Sequence, residues 1–414
     1  MQLSALNESR LRDELMSAPL RESAHVSIGI LRGEDLTEVS TDRRGRPRAP
    51  LTKGRVGPVG CVAKLLTGTL ALHASSKGYL DFGRDLACLL GVGVLEGVTV
   101  RNLLSHSHGI DVSRIDAIPR TTDGRIDVHM LCRNALVSPR LFRPGTLYSY
   151  SSAGPWFTAA VLENIYSAPF SELLLAEVLR PSGATSTSGP SANSVWCPAT
   201  GGDLALSVSD LLRCVRWYLD QQRLREHAEL SVQVLPPGWS LECGACAGWK
   251  YYGFGWYGHN MTLPPDSLMV RVHMEQQIAI IVAAVDVPAS LILARIFGRV
   301  LPELLDFKLP KLVPKTLDLD ARACVGTYAD GRVSVRVSFS ECDGLEAEIT
   351  ESRSDRDAAP QVLRTELRPG TDRAYLANSS ARRFFQWIQF ISRDPCGYLH
   401  LWDGQRVLRR IGDH

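Results

Sequence analysis

The sequence predicts an α+β protein followed by a small all-β unit, and three observations carry that expectation. Two alternating, strand-like runs, "HVSIGILRG" and "LTEVS", flank a Gly-Glu-Asp turn near the N-terminal end. A long middle section then shows helical periodicity, after which strand-like runs return and a helix closes the segment. Beyond residue 321 the pattern changes to short alternating runs spaced by turn residues. Strands at both ends of a helical segment imply one sheet built from both ends, with the helices packed against it. The expected division is a mixed domain over 1–307, a linker over 308–321 and a barrel-like or sandwich unit over 322–414.

The elements follow in order. A first helical segment precedes the two N-terminal strands. "STDRRGRPRAPLTKGR" is a polar, Pro-containing loop that leads into an apolar helix beginning at "GCVAKLLTGTLAL". "ALHASSKGYLDFGRDLACLLG" carries that helix into a turn and a second short helix, and "TVRNLLSHSHGI" reads as a helix ending at Gly109. "GPWFTAAVLENIY" and "SVSDLLRCVRWYLD" have helical spacing, the second with Ser207 or Ser209 as its cap. "YYGFGWYGHN", "DSLMVRVHM" and "QIAIIVAAV" read as three successive strands, and "SLILARIFGRVLPELL" as a helix. "KLPKLVPKTLDLDA" is Pro- and Lys-rich, as linkers are. After it come "GRVSVRVSF", "GLEAEI", "AYLAN", "FFQWIQFI", "YLHLWDG" and "RVLRRI". The aromatics Phe384, Phe385, Trp387 and Phe390 in this region read as core.

Composition narrows the function classes. The chain has 414 residues, 45% of them hydrophobic and 22% charged, which is ordinary for a globular protein with a large core. Its 46 basic and 44 acidic residues leave a net charge of +2, which makes no electrostatic case for a nucleic-acid partner or an anionic membrane. The most apolar stretch, "IAIIVAAVDVPASLILARI", is interrupted by Asp286 and Pro288 and reads as a strand followed by a helix, so no membrane span is expected. The N-terminal segment lacks a basic region followed by an apolar one, and a cytoplasmic location is the expectation. Ten cysteines are too sparse for a disulfide framework. Cys243 and Cys246 have CxxC spacing without a second pair, and "HSH" at 106–108 has no third ligand in view, so neither a metal nor a cofactor is expected.

The chemistry centres on Cys61 and Lys64. Three residues apart on a helix, they share a face. The helix N-terminus favours a thiolate, and an apolar setting favours the neutral amine of a lysine that acts as a base. C-x-x-K by itself recurs by chance, and a buried cysteine is ordinarily inert packing.

The surroundings add specificity. "GCVAK" is similar to the G-S-x-x-K helix start of the serine β-lactamase and penicillin-binding protein superfamily, especially its class C-like esterase and transpeptidase branch. "LDFGRDLACLLGVGVLEGVTVRNLLSHSHGI", "FRPGTLYSYSSAGPWFTAAVLENI", "GGDLALSVSDLLRC" and "YYGFGWYGHNM" resemble further segments of that family in the same order, over roughly residues 25–300. "ARACVGTYADGRVSVRV" resembles the start of the β-barrel tail of some members.

The resemblance implies a β-lactamase-like fold and assigns roles. Cys61 takes the nucleophile's place, Lys64 the base's and Tyr150 that of the proton-shuttling tyrosine. His259 stands where the third motif begins. Ser152, Asn260, Met261 and Thr262 fall at substrate-contacting positions. The oxyanion hole would come from backbone N–H groups at Cys61 and near Thr262. Three departures stand out: Cys for Ser at 61, Met261 where the family carries a small Gly, and His108 in place of a small hydroxyl residue. Met261 would narrow the cleft or mark a silent site.

A thiol exchanges readily with thioesters, because attacking and leaving groups are alike, and the acyl-Cys remains reactive toward amines. The sequence therefore fits an acyltransferase with an acyl-Cys61 intermediate, its partners a small-molecule donor and acceptor or an acyl or peptidyl carrier protein, in a biosynthetic pathway. Two other readings stay open: an esterase or amidase with water as acceptor, and a catalytically silent binding protein.

Overall fold

The computed structural model describes residues 3–18, 20, 23–42, 58–90, 97–111, 127–185, 198–201, 204–221, 244–246, 248–252, 255–302, 320–340, 344–352, 359–369, 374–377, 388–395, 397–402 and 406–411. Most of the expected linker lies outside these, as do Phe384, Phe385, Trp387 and Cys243.

The N-terminal helix α1 (Leu3–Met16) precedes the hairpin β1 (His25–Arg32) and β2 (Asp35–Asp42). A 3-10 turn at Gly60–Val62 runs into α2 (Ala63–Ser76), followed by α3 (Leu86–Leu90), α4 (Val100–Leu104), α5 (Val128–Leu136), α6 (Ala153–Tyr166), α7 (Phe170–Leu174) and α8 (Val208–Asp220). The chain returns to the sheet as β3 (Gly244–Cys246), β4 (Trp249–Tyr251), β5 (Trp256–Leu263), β6 (Asp266–His273) and β7 (Ile278–Val285), then forms α9 (Ala289–Arg295).

The seven strands lie in the order β2-β1-β7-β6-β5-β4-β3, antiparallel throughout, so β1 pairs with β7 along its full length. The two ends of the mixed segment thus meet in the middle of one sheet, as the strand–helix–strand order implies. Strand alternation divides the residues between two cores. On one face α1 and α9 cover Val26, Ile28, Ile30, Ile280 and Val282. On the other, Leu31, Leu268, Val270, Val272 and Ile281 join the large core under α2, α6 and α8. At Gly29 a Cβ would sit 2.5 Å from Leu212, so the missing side chain is what lets α8 approach β1. Ser207 caps α8 by accepting from the Asp210 N–H at 2.8 Å.

Two sequence expectations need correction. "YYGFGWYGHN" is not one strand: β4 ends at Tyr251 and β5 begins at Trp256, with Gly255 at φ +79 in the turn between. The helix expected to reach Gly109 stops at Leu104, and residues 105–109 form a turn in which His106 takes a left-handed φ of 54.

The C-terminal strands β8 (Gly326–Ala329), β9 (Val333–Phe339), β10 (Leu345–Glu351), β11 (Gln361–Pro369), β12 (Ala374–Ala377), β13 (Ile388–Asp394), β14 (Gly397–Trp402) and β15 (Val407–Ile411) close into an antiparallel barrel. Tyr328, Val335, Val337, Ile349, Phe390 and Leu401 fill it. A separate apolar cluster joins barrel and helical region: Ile391, Trp402 and Val407 pack on Phe142, Leu147 and Tyr148. Among the described residues no helix is long and apolar enough to cross a membrane.

Candidate active site

The turn that carries Cys61 is held by contacts to Gly201, Leu204 and Ala205. Val59 donates its N–H to the Leu204 carbonyl at 2.9 Å, and Pro58 bridges to Ala205. Gly60 has φ +49, a conformation that disfavours any side chain. Gly201 approaches Gly60 so closely that a Cβ on Gly201 would lie 2.7 Å from its Cα. Cys61 is left partly exposed at the start of the helix, while Lys64, one turn on, is 1% exposed. The neighbours of Lys64 on α2 are almost all apolar, and no other charged residue is buried on that helix.

Tyr150 lies directly over this pair. The Lys64 Nζ is 5.1 Å from the centre of its ring. Its hydroxyl faces the Cys61 thiol, but without a hydrogen bond of ordinary geometry. Burial, then the neighbouring Cys61, pushes the Tyr150 pKa well above its usual value, so the phenol keeps its proton at neutral pH.

His259 on β5 faces the same space, its ring 5.6 Å from that of Tyr150. Its Nδ1 is 2.9 Å from both the N and the O of Asn260, and its buried Nε2 has no partner among the described residues. Burial foremost, then Lys64, lowers its pKa to about 3, so this position offers a neutral imidazole and no positive charge.

Alternation along β5 sorts the remaining expectations. Met261 shares the face of His259 and packs into the main core, 5% exposed, against Gly60, where a Cβ would meet its Cγ at 2.3 Å. Its side chain therefore lies under the nucleophile turn instead of across the cleft. Asn260 points to the opposite face of the sheet, where its Oδ1 accepts from Arg271 Nη1 at 2.7 Å, which removes its side chain from the cleft. Thr262 is exposed and pairs with Ser267 of β6. Ser152 sits at the N-terminal end of α6 without a capping bond, whereas Ser151 accepts from the Ala153 N–H at 3.1 Å.

Among the described residues, β4 pairs with β5 only at Tyr257 and Gly258, so the edge of β5 from His259 onward has no strand beside it there. That edge runs along the Gly60–Val62 turn.

His106 was not singled out as a site residue from sequence, yet it packs against Tyr150 with ring centres 4.8 Å apart. Its carbonyl accepts from the Ser149 N–H at 2.9 Å and its Nδ1 from the Ser151 N–H at 3.3 Å. Both neighbours of Tyr150 are thereby tied to one residue. His108 accepts from the Ile110 N–H through Nδ1, and burial foremost, then Arg140, lowers its pKa to about 3. The loops are laced further by Leu141 N–H to the Gly109 carbonyl and Gly145 N–H to that of Ser107, each at 2.8 Å. No group of three or more His, Cys, Asp or Glu residues suited to a metal occurs among the described residues.

Comparison with solved structures returns SurE in complex with D-Leu, at 25% identity and TM-score 0.74, with 99% of this chain and 98% of that one covered. An octameric penicillin-binding protein homologue from Pyrococcus abyssi matches at 15% identity and TM-score 0.57, over 98% of this chain and 99% of its own. The D-amino acid amidase of Ochrobactrum anthropi SV3, with L-phenylalanine amide, matches at 15% and 0.56, over 73% of this chain and 99% of its own. Comparison with curated protein sequences gives no match. A family model described as Beta-lactamase matches residues 26–288, which take in all of the sheet but His25 and the helices that surround Cys61, Lys64, Tyr150 and His259, and the chain belongs to that family.

Proposed function

We propose that the chain is an acyltransferase that carries its acyl group on Cys61 and takes it from a thioester. The observation that carries this reading is the pairing of a partly exposed Cys61 with a buried Lys64 one helical turn away, under the hydroxyl of Tyr150. In the first step Lys64, once it has released its own proton, takes the thiol proton and the Cys61 sulfur attacks the thioester carbonyl. The tetrahedral oxyanion is held by backbone N–H groups, and the donor's thiolate leaves with a proton delivered through Tyr150. An amine then attacks the acyl-Cys, loses its proton to the same pair, and the Cys61 thiolate departs. Exchange between thioesters is nearly isoenergetic, so the acyl-enzyme conserves the reactivity that aminolysis requires.

The same residues support hydrolysis if water replaces the amine, and membership of the Beta-lactamase family favours this as the second reading. The D-Leu named with SurE, whose likeness takes in nearly the whole of both chains, supports testing donors whose acyl group ends in an apolar D-residue.

The test is intact mass spectrometry of the protein after incubation with N-acyl-D-leucyl and N-acyl-L-leucyl thioesters of a simple thiol. The expected result is a mass increase equal to the acyl group, present in wild type and absent in Cys61→Ala. Added amines should discharge it to an amide faster than water discharges it to the acid. A discharge that ignores amines would identify a hydrolase. No adduct and no consumption of any donor would overturn both readings and leave a ligand-binding role.

A further inference from the structure

Among the described residues, the β-barrel contacts the two loops that carry His106 and Tyr150. Trp402 and Val407 stand directly opposite one another on β14 and β15. Trp402, 1% exposed, meets Tyr148 edge-on at 6.4 Å between ring centres. Val407 donates its N–H to the Ser149 Oγ at 3.0 Å. One cross-strand pair of the barrel thus grips the two residues that immediately precede Tyr150. The neighbouring barrel loop holds the other of these loops, where Gly331 donates to Asp111 Oδ2 at 2.8 Å, five residues beyond His106. His400 Nε2 lies 3.3 Å from the Leu141 carbonyl at the start of the tyrosine loop.

We propose that the barrel positions Tyr150 over Cys61, and that Trp402 and the Val407–Ser149 hydrogen bond are its positioning contacts. Tyr150 stands in an irregular segment just before α6, with no strand ladder of its own to fix it. His106 holds its backbone from the catalytic side, and the barrel supplies the second support. A phenol that must face a thiol at short range tolerates little displacement, since an error of about 1 Å at a reacting centre can cost about a hundredfold in rate. This inference rests on reading Cys61 and Tyr150 as working together, but not on which acyl donor is used.

The test is the rate of Cys61 carboxamidomethylation by iodoacetamide between pH 6 and 10, followed by peptide mass spectrometry so that Cys88 and the other thiols are counted apart. It needs no acyl donor, so failure of every thioester above leaves it interpretable. A phenol O–H facing the sulfur stabilises the thiolate. Tyr150→Phe should therefore slow alkylation near neutral pH by about threefold to tenfold and move the profile to higher pH. Ser149→Ala and Trp402→Leu should move it in the same direction, with Trp402→Phe intermediate. Phe390→Leu, a change in the barrel interior outside the apolar cluster of Trp402 and Val407, controls for general loosening and should leave the profile in place. The proposal is overturned if Ser149→Ala and Trp402→Leu match wild type, if Phe390→Leu shifts the profile as much as they do, or if Tyr150→Phe itself has no effect.

Discussion

His106 brackets Tyr150: its carbonyl takes the N–H of the preceding residue, its ring the N–H of the following one, and the two rings touch. The arrangement depends on the left-handed backbone of His106, which turns carbonyl and side chain toward the same loop. His106→Ala removes the acceptor for the Ser151 N–H and the packing surface for Tyr150. It should slow acylation of Cys61 by about tenfold to a hundredfold and cost about 1–3 kcal/mol of stability. His106→Asn keeps an acceptor and tolerates the backbone, so it should recover part of both. Acylation rates and denaturant midpoints for the two variants decide this; a loss of stability with no change in rate would make His106 structural only.

Gly60 and Met261 form a second pair with a measurable coupling. A Cβ at Gly60 would collide with the Met261 side chain, and φ +49 adds backbone strain. Gly60→Ala should therefore be strongly destabilising in the presence of Met261. Met261→Ala, which empties a buried site, should cost about 2–5 kcal/mol. Together they should cost less than their sum by about 0.5–3 kcal/mol, because the smaller side chain makes room for the new methyl. Strict additivity in chemical denaturation would show that the two do not share this space.

Much of the architecture was legible in the sequence because it depends on local pattern. Apolar alternation marked β1, β6 and β7, helical spacing marked α2, α6 and α8, and their order implied the shared sheet. The relation of Cys61 to Lys64 is likewise local. Tyr150 and His259, read from the family resemblance, lie beside that pair. Alternation alone could also have placed Asn260 on the far face, since it lies between His259 and Met261. What could not be read is what depends on contacts distant in sequence or on unusual backbone. His106 sits in a loop where its left-handed conformation has no sequence signature, histidine being a minority choice there. β11 was missed because its inward positions include Thr365 while Val362 faces out, 55% exposed, so its alternation is blurred. The clamp of Trp402 and Val407 on the tyrosine loop spans about 250 residues of chain and is invisible to any local pattern.

The choice of thiol over hydroxyl carries its own prediction. Cys61→Ser should form an oxyester from the same thioester donors more slowly, since the hydroxyl needs stronger activation by Lys64. Once formed, the oxyester should resist amines, so the acyl-enzyme should accumulate where the wild-type adduct is discharged. Time-resolved intact mass with and without an amine acceptor measures both steps. A serine variant that transfers to amines as fast as wild type would remove the chemical reason for cysteine at this position.

Acid should destabilise the fold through three buried histidines. His106, His108 and His259 are each 5% exposed or less, and burial is the largest cause of the lowered pKa in each. Positive neighbours add to it: Lys64 and Lys250 at His106 and His259, Arg271 at His259 and Arg140 at His108, while the other two histidines would repel a charge on His106 once they were protonated themselves. The folded pKa lies below the unfolded value of about 6.5, so as pH falls through 6.5 the unfolded chain takes up protons that the native state refuses. Stability is therefore highest above pH 6.5 and declines as pH falls toward 3, where His108 and His259 would at last titrate in the folded state. Between pH 7.5 and 5.5 each histidine contributes a loss of about 1.4 kcal/mol, or about 4 kcal/mol for the three. Denaturant midpoints across that range should fall accordingly. His108→Asn, which preserves an acceptor for the Ile110 N–H, should reduce the pH dependence by about a third. A midpoint that stays level from pH 7.5 to 5.5 would mean that these imidazoles are protonated or solvated in the native state, and the neutral His259 assumed for the cleft would go with them.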